Sequence, residues 1–119
     1  MSKVFNYGEA RKVRSPEKRT TSSLVDSEIG ASRMMVVLFE YDPNANPRKV
    51  HYHERRESAY IVLEGRATLL LNGEEHTLKP NTVVYISPGD THGIVAISDE
   101  GLKMIEIWSP LEKDFIKVE

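Results

Sequence analysis

The sequence predicts an all-β protein, an antiparallel sandwich or barrel, on three observations. No stretch longer than a few residues carries the 3.6-residue apolar period of an amphipathic helix. Short runs rich in β-branched and aromatic residues recur between turn signals. Asn72-Gly73, between Leu71 and Glu74, is the pair favoured in a two-residue type I′ hairpin turn, where both positions take positive φ.

The elements follow in order. A strand is expected over 22–28 and another over 33–41, closed by the break from Asp42-Pro43 to Pro47. Residues 34–39 are unbrokenly apolar, so both faces of that strand should meet apolar partners: the barrel interior on one side, a second sheet or a subunit interface on the other. Strands over 50–52 and 59–63 follow, the latter ending at Glu64-Gly65. The runs 67–71 and 75–78 are the arms of the Asn-Gly hairpin, and 83–86 ends at Ser87-Pro88-Gly89-Asp90. The last strands are 93–97, 103–108 and 115–118, the first two divided by Asp99-Glu100-Gly101. Helix is confined to short turns.

A chain of 119 residues suits one compact domain. With 16 basic and 18 acidic residues the formal net charge is -2, too near balance to attract nucleic acid or an anionic membrane. Residues 1–20 are locally basic, and no aromatic residue interleaves the cluster from Arg11 to Arg19, which reads as a solvated arm. Cysteine is absent, excluding disulfides, thiolate metal sites and cysteine nucleophiles. Together with the lack of an apolar leader or a bilayer-length segment, this predicts a cytoplasmic protein.

Chemistry is concentrated in the histidines. In His51-Tyr52-His53 two imidazoles stand two residues apart, a spacing that points both to one face of an extended strand and suits half of a metal site. His76, beside Glu74 and Glu75 after the hairpin turn, reads as a surface residue. Arg55-Arg56 beside Glu54 and Glu57 reads either as a charged rim near the metal mouth, able to capture an acidic substrate, or, more commonly for such a run, as a solvated loop whose charges pair among themselves. Tyr60, Tyr85, Met34, Met35, Phe39, Ile105 and Trp108 are the bulky residues for core or pocket lining. No catalytic serine triad, phosphate loop or carboxylate pair competes.

The stretch from His51-Tyr52-His53 through Tyr60-Ile61-Val62-Leu63-Glu64-Gly65 resembles the first motif of the cupin superfamily: H-x-H, three or four residues, Glu, six residues, Gly. Asn81 through Ser87-Pro88-Gly89-Asp90-Thr91-His92 is similar to the second, with Asn81, Ser87 and Ala96 replacing its first Gly, its Pro and its closing Asn. The resemblance spans about 50–96 and implies a double-stranded β-helix, a jelly-roll-like antiparallel barrel, in which His51, His53 and His92 hold a divalent transition metal (Fe, Mn, Ni, Zn or Cu). The family's glutamate ligand falls on Ser58 when counted back from Gly65 and on Glu57 when counted forward from His53. Either residue stands at the fourth position; some cupins hold iron with three histidines and no carboxylate.

The expected function is that of a protein that binds a metal ion and a small molecule of unspecified identity. The alternatives are a metal-dependent enzyme of dioxygenase or sugar/keto-acid isomerase type, and a metal-free ligand-sensing or binding protein. A homodimer formed partly by residues 34–39 is expected. Because imidazole binds metal only when neutral, affinity is expected to weaken as pH falls through ~6.5.

Overall fold

The computed structural model describes residues 2–111 and 114–118. Its strands are β1 (Lys12–Ser15), β2 (Arg19–Val25), β3 (Met35–Tyr41), β4 (His51–Tyr52), β5 (Glu57–Leu71), β6 (Glu74–Leu78), β7 (Val83–Ile86), β8 (His92–Ser109) and β9 (Ile116–Lys117). All the strand pairings are antiparallel. Helical structure among the described residues is limited to two 3-10 turns, Tyr7–Glu9 and Ser27–Ile29. No helix there is long and apolar enough to cross a membrane.

Two long strands organise the barrel. β5 pairs β8 over 58–62 against 104–108, and again over 67–71 against 92–97. The breaks expected at Glu64-Gly65 and Asp99-Glu100-Gly101 do not end strands; the register shifts near Gly65 and both strands continue. Gly65 has φ +83°, and a Cβ there would lie 2.0 Å from the carbonyl oxygen of Gly101, itself at φ +76°. Backbones touch at this crossing, so only glycine fits, and each strand can bend and serve two parts of the barrel.

Alternation fixes the interior. Val37, Phe39 and Tyr41 of β3 point inward with Tyr60 and Val62 of β5 and Met104 of β8, joining Leu69, Leu78 and Ile86 in one buried cluster. Burial of each such aliphatic side chain contributes roughly 1.5–3 kcal/mol. The outer face of β3 is apolar too: Val36 faces outward, and Leu38, only 2% exposed, lies opposite Ile105 of β8. Both edges of β3 are hydrogen-bonded, to β2 and β8.

The first twenty residues are not simply a solvated arm. β1 and β2 form a hairpin that extends the sheet from β3, and Arg14 forms an ion pair with Asp42 at the surface. Arg19, opposite Tyr41, turns inward with its guanidinium 4.5 Å from the Phe39 ring centre.

Candidate metal centre and adjoining cavity

The three histidines predicted from the sequence meet at one end of the barrel. His51 lies directly opposite His92 in the β4–β8 ladder, and His53 follows two residues on. Gly93 permits this approach, because a Cβ there would lie 2.5 Å from the Lys49 carbonyl oxygen. One ligand-type nitrogen from each of His51, His53 and His92 lies within 4.8 Å of the others.

Each ring is oriented by the main chain. His51 Nδ1 stands 3.1 Å from the Lys49 carbonyl oxygen, His92 Nδ1 stands 2.9 Å from that of Asp90, and His53 Nδ1 contacts that of Asp114. A carbonyl oxygen only accepts, so Nδ1 carries the proton in all three rings and Nε2 keeps a lone pair. His92 Nε2 is buried without a polar partner. Burial, aided by neighbouring His92, holds His51 down at about 4, and burial first also lowers His53 and His92 below the usual imidazole range. Neutral rings with Nε2 lone pairs form a donor set that fits a divalent transition metal.

A cavity of about 280 Å³ opens beside His51 and His53, walled by Phe39, Met104, Trp108 and Phe115 among others. Phe115 stacks on His51 with ring centres 4.3 Å apart. Asp114 accepts hydrogen bonds at its carboxylate from the backbone N–H groups of Glu54, Arg55 and Arg56, so the C-terminal segment fixes the loop at the cavity mouth.

Glu106 lines the cavity and is 8% exposed. Burial pushes its carboxyl up to about 7, opposed mainly by Arg56. Ser58 Oγ stands near enough to lower it further, without completing a well-formed hydrogen bond. Ser58 is buried, whereas Glu57 is exposed and accepts a 3.0 Å hydrogen bond from the Tyr85 hydroxyl. His76 lies away from the cluster, half exposed and 3.9 Å from Glu74. Among the bulky residues, Phe39, Tyr60 and Trp108 line the cavity, while Tyr85 and Met34 lie at the surface. Arg56 is not part of a self-pairing loop: its guanidinium sits 4.6 Å from the Trp108 ring centre and faces the cavity.

Glu106, Arg19, Asp114 and Phe115 were not expected at the site. The sequence held a signal for Glu106, a lone carboxylate at the inward parity of the apolar run 104–108.

Residues 37–108 match the family model described as "Cupin domain". An uncharacterized protein of Methanocaldococcus jannaschii, MJ1618, is 32% identical over 63 residues, covering 53% of this chain. The chain spans about half the length of that curated relative, the match covering 50% of it. The polyketide cyclase RemF from Streptomyces resistomycificus superposes with a TM-score of 0.84 and 28% identity, over 100% of this chain and 87% of its own. An uncharacterized conserved protein with a double-stranded β-helix domain, from Klebsiella pneumoniae, gives 0.79 at 21% identity over 100% and 99% of the two chains.

Proposed function

The chain belongs to the cupin-domain family, and from that premise we propose that it binds one divalent transition metal through His51, His53 and His92 and holds a small organic molecule beside it. The observation that carries this reading is the shared commitment of the three Nδ1 atoms to main-chain carbonyls, with the buried Nε2 of His92 left unpartnered. The donor set suits Fe, Mn, Ni, Zn or Cu alike. A bound ion supplies Lewis acidity toward an oxygen of the guest molecule. Phe115 and Trp108 narrow the water-accessible volume beside it.

The test is elemental analysis of protein purified without a histidine tag. About one metal ion per chain is expected, with strong loss in each of His51→Ala, His53→Ala and His92→Ala and none in His76→Ala. Full occupancy in all three ligand variants overturns the assignment, and wild-type protein that takes up no transition metal leaves the metal-free binding protein as the reading.

Catalysis is the second reading, and Glu106 favours it. A carboxyl with a pKa of about 7 in the same cavity gives up and recovers a proton near neutrality, as a general acid–base requires. Similarity to a polyketide cyclase, at 28% identity, supports an enzyme without fixing a reaction. Turnover that is lost in Glu106→Gln while metal content stays at the wild-type level distinguishes this reading from simple binding.

A further inference from the structure

The cavity beside the histidines offers buried hydrogen-bond donors that lack acceptors. Arg19 Nε, Arg56 Nε and Trp108 Nε1 are all buried without a polar partner, and all three side chains line the cavity. Each of these groups donates and cannot accept. Unmet buried donors are rare in folded proteins, and these add to the positive character of the cavity wall.

Charge points the same way. Arg19, Lys49 and Arg56 line the cavity against only Glu17 and Glu106. Glu17 serves two of the cations, at 3.3 Å from Arg19 and 3.9 Å from Lys49. Arg56 forms no ion pair among the described residues; its guanidinium lies over Trp108. Glu106, with its carboxyl pushed up to about 7, offsets Arg56 only in part at neutral pH. A chain of net charge -2 thus surrounds a cavity of surplus positive charge, an arrangement that concentrates small anions.

We propose that the cavity binds a small organic anion whose acidic oxygens seat on the Arg56 guanidinium beside Trp108, an inference that rests on the reading of this cavity as a small-molecule site. The volume of about 280 Å³ is at the small end of ligand pockets, which limits the guest to a compact acid. Aromatic residues in the cavity wall, Phe39 and Phe115, favour a planar body behind the acidic group. Arg56 is already stacked on Trp108, so little side-chain freedom is lost when the anion arrives.

Trp108 is the sole tryptophan, so its fluorescence reports occupancy of the cavity directly. Wild-type protein is titrated with benzoate and with benzamide, which share a shape and differ in charge. Benzoate is expected to give a saturable change, with benzamide at least ~tenfold weaker. Arg56→Met should bring the two within ~threefold of each other, and Arg56→Lys should fall between, since an ammonium keeps the charge without the fork. Equal affinity for the two probes, no saturable response to benzoate up to ~50 mM, or full discrimination retained in Arg56→Met overturns the proposal. Should Arg56→Met fail to fold, the wild-type ratio and Arg56→Lys still decide. The titration is repeated after chelation with EDTA. Discrimination that survives chelation and disappears in Arg56→Met supports the arginine site; discrimination that disappears on chelation and is indifferent to Arg56→Met overturns it while leaving the metal centre standing.

Discussion

Ser58 and Glu57, neighbours in β5, face opposite sides of the barrel wall: Ser58 lies buried near the Glu106 carboxyl, and Glu57 accepts the Tyr85 hydroxyl outside. Strand alternation requires this opposition once Tyr60 and Val62 point inward. Glu57→Ala should therefore change metal affinity less than ~threefold, whereas a ten- to hundredfold loss is typical where a group supports a metal site. Ser58→Ala should raise the Glu106 carboxyl further, because a neighbour that lowers it is removed. A metal titration of the first variant and an NMR titration of the second check the pair; a large affinity loss in Glu57→Ala would refute the orientation.

Metal affinity should hold to lower pH than free imidazole allows. All three imidazoles are held down by burial, His51 to about 4, so proton competition begins below ~6.5 and grows toward pH 4. Competition against a chelator at a series of pH values measures this window. A midpoint at 6.5 would mean that the rings are not desolvated as described.

Glu106 should make the protein less stable as pH rises. Its carboxyl titrates at about 7 in the folded chain against 4.5 in the open one, so the folded state binds more protons between those values. The stabilisation is fully present below 4.5 and is lost as pH rises through about 7, at a cost on the order of 3 kcal/mol. Denaturant unfolding of wild type and Glu106→Gln from pH 4.5 to 8 tests the sign. The variant should lose this component of the slope, and an unchanged slope would remove Glu106 as its source.

A homodimer is expected through a sheet face and not through a strand edge. Opposed residues share a face, so Val36, Ile105, Ile61 and Val83 line one outer surface, with Val83 68% exposed. Val83→Asp should shift the dimer toward monomer in light scattering without altering the circular dichroism of the sheet. A wild-type chain that stays monomeric at high concentration contradicts the assembly.

Much of this was legible beforehand for a physical reason. His51, His53 and His92 occur in short motifs whose spacing matches strand geometry, so the family resemblance located them without coordinates. Gly65 and Gly101 misled, since a glycine at a backbone crossing has the same local signature as one in a chain reversal. Arg19 and Asp114 were illegible because they reach the cavity through pairings far apart in the chain, β2 with β3 and the C-terminal segment with the loop at 54–56. Long-range placement of a charge leaves no periodic trace.

The hold of Asp114 on that loop has a consequence for how the cavity mouth can vary. Its carboxylate grips backbone amides at 54, 55 and 56, a group that every amino acid except proline supplies. The path of the loop is thus independent of the letters written on it, so far as this anchor is concerned. New side chains can be presented to an incoming guest on an unchanged frame, while a single change at Asp114 releases three amides together.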